Sequence, residues 1–363
     1  MDGRVKTWRL VYCVTFGLAL GGVFGILIAR FTPICPNVDL PKFEIPGLST
    51  ILAPMLFGGV DTPEESPTRL LFVGDIMLDR NVARRVRESK DPAYPFRKLP
   101  VGWFDTFDYA VANLEGPVTD KRRPPVKSID FQFDPSVIPV LKSQGIDAFS
   151  QANNHALDQG NVGYADSVRR LREAGFLTFG HQISDDVIAL ATTTIRKTNI
   201  AFVGFNTTDN PLDRAAASST IAEARRQSDI VIVYMHWGTE YRHKPDASSI
   251  ATAQWLIDQG VDTVIGAHPH WEQGISIYKG KPIAWSLGNF IFDQDFSKET
   301  REGLALILSI DKKGIVIEPI PIFIDASQPR IVEGEERNKR LEFLASISDP
   351  ELAGQIKEGV IRF

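Results

Sequence analysis

Five short apolar runs in this chain each end in residues that bind metal ions or move protons. Residues 69–73 run into Gly74 and Asp75, and 109–112 into Asn113, Leu114 and Glu115. Residues 148–152 lead to Asn153, Asn154 and His155, 229–235 to His236, and 261–265 to Gly266, Ala267, His268, Pro269 and His270. Runs this short and apolar read as buried strands, and open α/β sheets build their sites where such strands end. Helical patterns separate them, over 79–88, 137–144, 162–174, 215–227 and 248–259. An antiparallel pair is expected at 188–195 and 199–205. After Gly274 the pattern changes to strands without helices, at 274–278, 282–287, 304–310 and 315–324. An alternating half followed by a β-rich half suits two stacked sheets with helices outside. Residues 326–363 read as a helix around 337–346 and an appended tail.

The spacing within each run sharpens the chemistry. In extended backbone, residues i and i+2 project to one side, so Asn113 with Glu115, and His268 with His270, are each expected to face one point without a special loop. Carboxylates, an amide oxygen and imidazoles are ligands that manganese, iron or zinc accept, and the absence of a cysteine ligand argues against a structural zinc. The two cysteines, Cys13 and Cys35, lie in and just after an N-terminal apolar run and read as non-catalytic. A net charge of -5 and six scattered histidines give no basic stripe for a phosphate backbone, so nucleic-acid binding is not expected. There is no Gly-x-Ser-x-Gly elbow, and no glycine fingerprint follows the first strand. The basic loop Lys121, Arg122, Arg123 and Lys127 reads as solvated, and beside an anionic substrate it would steer. His181, in a loop next to Gly180, reads as structural or exposed.

Residues 10–29 are 20 consecutive positions without a charge, enough to cross a bilayer as a helix. Arg4, Lys6 and Arg9 precede the run and only Arg30 follows closely, which keeps the N-terminus in the cytoplasm and the bulk of the chain outside the membrane. Ile28-Ala29-Arg30 does not resemble a signal-peptidase site, so an uncleaved anchor is expected over residues 1–30. Seven prolines then mark residues 31–68 as a partly stiff spacer, with an apolar patch at 48–57 that suits a short helix.

In order, Asp75, Glu115, Asn154-His155, His236 and Gly266-Ala267-His268-Pro269-His270 resemble the calcineurin-like metallophosphoesterase superfamily. More narrowly, Asn-Leu-Glu, Asn-Asn-His-Ala-Leu-Asp, His-Trp-Gly-Thr-Glu-Tyr, Gly-Ala-His-Pro-His and Ser-Leu-Gly-Asn-Phe are similar to the bacterial CapA family of capsule and poly-gamma-glutamate synthesis. The resemblance covers residues 69–325. It implies a four-layer α/β/β/α sandwich behind the membrane anchor, with one or two divalent ions held by Asp75, Glu115, Asn154, His236, His268 and His270. His155 would be the acid/base group, oriented by Asp158, and Asn113, Glu240 and Asn289 would serve substrate or outer ligand positions. The implied role is metal-dependent hydrolysis of a phosphate ester or anionic polymer beside other polymer-synthesis membrane proteins. A non-catalytic part in such a complex, or amide hydrolysis of cell-wall or glutamyl polymer, stands as the alternative. Two positions depart from the superfamily. Met77 stands where it has a ligand histidine, and Glu115 where it has a bridging aspartate, which leaves the first metal site in question and with it the ion His270 would share.

Overall fold

A computed structural model describes residues 66–180 and 189–363. The expected anchor, the spacer with its 48–57 patch, both cysteines and His181 lie outside the described residues. Among the described residues no helix is long and apolar enough to cross a membrane. The described residues form one compact unit.

The first half alternates as its apolar pattern requires. Strand β1 (Thr68–Ile76) is followed by α1 (Arg80–Ser89), β2 (Tyr109–Leu114), α2 (Val137–Ser143), β3 (Ala148–Ser150), α3 (Gly160–Glu173) and β4 (Leu177–Phe179). Then come β5 (Leu190–Ile195), β6 (Thr198–Asn206), α4 (Arg214–Gln227), β7 (Ile230–His236), α5 (Ala247–Asp258) and β8 (Thr263–Ala267). Aspartates start three of these helices: Asp79 accepts from the Arg80 amide, Asp213 from Ala215 and Ala216, and Asp246 from Ser249, which satisfies N–H groups that the first turn leaves open. The β-rich half supplies β9 (Ile275–Tyr278), β10 (Lys281–Ala284), β11 (Asn289–Ile291), β12 (Glu302–Asp311), β13 (Gly314–Asp325) and β14 (Gln328–Ile331). Helices α6 (Gly334–Ser346) and α7 (Ala353–Glu358) and strand β15 (Ile361–Arg362) close the chain.

One sheet runs β14-β13-β12-β1-β2-β3-β4, with β11 pairing β1 and β15 pairing β13; the other runs β5-β6-β7-β8-β10-β9. Residues 326–363 therefore contribute two strands to the first sheet where the sequence suggested a tail. Strand β14 returns from β13 as a hairpin through Ala326 and Ser327, both at positive φ, and only β15 is specified by long-range pairing with β13.

Alternation along the strands divides the core into layers. Leu70, Phe72, Val111, Ala148 and Phe179 of the first sheet pack with Phe202, Ile232, Tyr234 and Ile265 of the second. Their neighbours Leu71, Val73, Ala110, Ala112 and Phe149 turn outward onto Val82, Leu141 and Leu171 of α1, α2 and α3. On the far side Val203, Val231 and Val233 meet Ile221 and Ala224 of α4 and Ala253 and Leu256 of α5. The order is helix, sheet, sheet, helix, and each fully buried side chain of this kind contributes roughly 1.5–3 kcal/mol.

The two central parallel blocks, β1-β2-β3 and β6-β7-β8, point their C-terminal ends the same way within their sheets. A register shift between Val73 and Asp75 interrupts β1 against β2. The freed Val73 carbonyl accepts from the Tyr234 hydroxyl across the sheet interface at 2.7 Å. Gly74 lets the strand approach Gly288, whose carbonyl a side chain would strike, and so Asp75 comes opposite Asn289. Bulges of this kind re-aim side chains beside sites.

Candidate metal centre

The expected strand ends do converge. The hub is a neutral amide, buried Asn113, whose Nδ2 donates to Asp75 Oδ1 at 2.8 Å and lies 3.5 Å from Glu115 Oε2 and 3.4 Å from His236 Nδ1. Asn113 and Glu115 thus face one point, as extended backbone dictates. Asn153, to which the sequence assigns no role, is fully buried and donates to Asn113 Oδ1 at 3.1 Å and to the Leu114 carbonyl at 2.9 Å. The only signal for it was adjacency to Asn154. Asn154 itself is half-buried, and its Oδ1 meets His236 Nε2 at 2.9 Å.

His268 and His270 correct the expectation of an extended pair. Strand β8 stops at Ala267, and the two histidines sit on a turn with φ of 96° and 57°. Both lie in the left-handed region that residues other than glycine rarely adopt. Such strain persists where surroundings over-determine it, and here Asp75 Oδ2 lies 3.4 Å from both the His268 amide and His270 Nδ1. The Pro269 carbonyl also takes the Tyr241 amide at 2.9 Å, tying this turn to the loop after β7. The imidazoles still converge, with ring centres 5.9 Å apart and His236 4.7 Å from His268.

Two triads of ligand atoms result: Asp75, Glu115 and His236 form one, and Glu240, His268 and His270 the other, with the atoms of each within 4.8 Å of one another. Glu240, expected to serve substrate, is exposed and joins a ligand triad. Asn289 supports from behind, its Oδ1 3.0 Å from His270 Nδ1 and its Nδ2 donating to the Thr300 carbonyl and Gln294. Met77, where the superfamily has a ligand histidine, is buried in the outer core, and its sulfur accepts the Asp79 amide at 3.1 Å.

The donor set fits a divalent cation. Glu115 Oε1 and His268 Nδ1 are buried without a hydrogen-bond partner, a costly arrangement unless something else satisfies them. Burial, with the neighbouring charge of Asp75, pushes the Glu115 carboxyl well above its ordinary range. Burial pushes His236 well down and His268 down to about 3, so both imidazoles are neutral, the form that binds metal. His270 is the exception. Burial opposes its charge, but Glu115 and Asp75 outweigh that and raise it to about 9.

Beside the triads stands His155, on the turn between β3 and α3. Its Nδ1 meets Asp158 Oδ2 at 2.6 Å, as expected. Asp158 also accepts the Phe131 amide at 2.7 Å and pairs with Lys127 at 2.6 Å, while Phe131 lies against the imidazole at 4.1 Å. Desolvation lowers the His155 pKa against the pull of Asp158. The basic loop is thus only partly solvated: Arg123 donates to the carbonyls of Leu157 and Asp158 and, with Lys127, fixes the His155 turn. Lys121 and Arg122 line an open cavity of about 590 Å³ alongside the same turn.

The model of the bacterial capsule synthesis protein family, PGA_cap, matches residues 69–294, which hold every residue of both triads. The chain belongs to this family. The capsule-synthesis relatives include the PGA biosynthesis protein CapA of Bacillus subtilis, 30% identical over 311 residues, with 80% of this chain and 81% of that one covered. The capsule biosynthesis protein CapA of Bacillus anthracis is 28% identical, over 74% and 70% of the two chains. Among solved structures, a phosphatase from Mycoplasma pneumoniae is similar at a TM-score of 0.41 and 13% identity, over 74% of this chain and 91% of that one. A likeness so remote carries no argument about activity.

Proposed function

We propose that this member of the capsule synthesis family is a metal-dependent hydrolase of metallophosphoesterase type that acts on a phosphate ester or anionic polymer during surface-polymer synthesis. The observation that carries the reading is the pair of ligand triads, one fully buried and one reaching the surface through Glu240, with orphan donor atoms beside a carboxylate-held histidine. Asp75, Glu115, Asn154 and His236 would hold one ion and Glu240, His268 and His270 a second. A bound divalent cation of the manganese, iron or zinc kind supplies Lewis-acid polarisation and activates water near neutral pH. The chain's own residues do the rest. Asn113 fixes Asp75, Glu115 and His236 in one constellation, and Asn289 orients the His270 ring. Asp158 holds the His155 Nδ1 proton, leaving Nε2 to pass a proton to the departing oxygen. The aromatic wall of Phe131 keeps that imidazole dry.

Residues 1–30 would anchor the chain in the cytoplasmic membrane with the metal centre outside, beside the other membrane proteins of polymer synthesis. Glutamyl or cell-wall amides are a second substrate class, and the names of the relatives favour weighing it, since poly-glutamate is joined by amide bonds. Purified protein tested for metal content and then on phosphate esters, muropeptides and glutamyl oligomers distinguishes these readings. Metal with hydrolysis of esters supports the proposal, and metal with hydrolysis of amides alone moves it to the second class. No metal and no hydrolysis under manganese or zinc supplementation leaves only a non-catalytic part in the complex.

A further inference from the structure

Arg80 has no place in the chemistry above, yet its position is unusual in three respects. It is the first residue of α1 and holds φ at 49°, a left-handed conformation in a residue that is not glycine. Its guanidinium lies over two rings, 5.0 Å from the centre of Phe131 and 5.9 Å from that of Phe292. Those rings meet edge to face at 6.2 Å, and each carries a site histidine: His155 lies 4.1 Å from Phe131, and His270 4.9 Å from Phe292. One cation therefore shares an aromatic ring with the acid/base histidine and another with a ligand of the second triad.

The hold on this cation is one-sided. Asp293, almost fully buried, pairs with Nη2, and its other oxygen accepts the Asn81 amide at 3.1 Å. Nε and Nη1 have no hydrogen-bond partner among the described residues, and about a third of the side chain is exposed. A guanidinium stacked on aromatic faces keeps the remaining N–H groups of its edge free to donate to an oxyanion. Backbone strain gathers at ligand clamps where the surroundings enforce it.

We propose that Arg80 forms an oxyanion subsite at the solvent side of the metal centre, holding a phosphate or carboxylate group of the substrate next to His155. The inference rests on the hydrolase reading and names the charge its substrate presents. Arg80 is a positioning residue: it fixes the anionic group, while the triads and His155 face the bond to be broken.

The test is calorimetric titration of the manganese-loaded full chain, in detergent, with inorganic phosphate and separately with glutarate. Replacing Arg80 by Ala or Gly is expected to weaken binding of at least one anion by roughly tenfold or more, and Arg80→Lys to restore part of it. The anion that responds identifies the source, phosphate ester or carboxylate polymer. Asp293→Asn removes the ion pair but leaves the guanidinium on its rings, and it should keep binding within about threefold of wild type. Arg80→Gly should melt above Arg80→Ala, because both leave Asp293 without its counter-charge and only glycine relieves the positive φ. Unchanged binding in Arg80→Ala and Arg80→Gly, equal losses in Arg80→Ala and Asp293→Asn, or no wild-type binding of either anion would overturn the subsite. Metal content is measured on the same samples, so loss of the centre itself registers separately.

Discussion

Stability of the metal-free protein should depend on pH in a way that isolates His268. Folding depresses this imidazole from an ordinary 6.5 to about 3, chiefly through burial, with His270 and His155 adding repulsion. Between those two values the unfolded chain binds the proton and the folded chain does not. The stabilisation is therefore present above pH 6.5 and is lost as pH falls toward 3. At about 1.4 kcal/mol per pH unit the full span bounds the effect at ~5 kcal/mol, and local relaxation on protonation would reduce it to about half. The assay is urea unfolding of chelator-treated protein at steps between pH 4 and 7, for wild type and His268→Asn. Asparagine cannot titrate there, so the difference in unfolding free energy between the two should shrink steadily as pH is lowered. His236 carries the same sign of shift, chiefly through burial, and is present in both proteins, so the difference between them reports mainly on His268. A difference that stays constant from pH 7 to pH 4 would refute the reasoning, since His268 would then not be held neutral by its surroundings.

Three further outcomes follow from particular contacts. Asp158→Asn should lower turnover by about 10²-fold or more in steady-state assays while metal content stays unchanged, because it loosens the tautomer and orientation of His155 without touching a triad. Gly266→Ala would drive a methyl group into the Trp285 carbonyl and the Trp237 indole; chemical denaturation should show a loss of roughly 3 kcal/mol or more, with displacement of the following histidines lowering metal affinity. Arg340 is buried between Glu272 and Glu302 at 2.5 Å from each, joining α6 to the segment after His270. Arg340→Met should cost about 3–5 kcal/mol by the same measurement, because two buried carboxylates lose their counter-charge.

Much of the site was legible because strands deliver side chains predictably. Asp75, Glu115, His155 and His236 follow runs whose apolar character already fixed both strand and edge, and the helix, sheet, sheet, helix layering follows from alternation along those runs. What stayed hidden depended on backbone or on distance. The turn carrying His268 and His270 needs positive φ at both residues, and no propensity announces that; Asp75 and Tyr241, nearly 200 and about 30 residues away, hold it in place. Asn153 looked like a spacer beside Asn154, although as the buried amide it anchors the hub. Arg80 lies within the expected 79–88 helix, and only the fold brings Phe131 and Phe292 beneath it. Strands β14 and β15 are too short to show a period, and only pairing with β13 defines them.

The central claim is that the two triads hold divalent ions. Its most direct measurement is the metal content of the purified protein by mass spectrometry, after equilibration with manganese or zinc and removal of excess, for wild type, Glu115→Gln and Glu240→Gln. Two ions in wild type, with each variant losing one or both, is the predicted result. Wild-type protein that is folded by circular dichroism and yet retains no ion, or both variants retaining the full wild-type content, would contradict it.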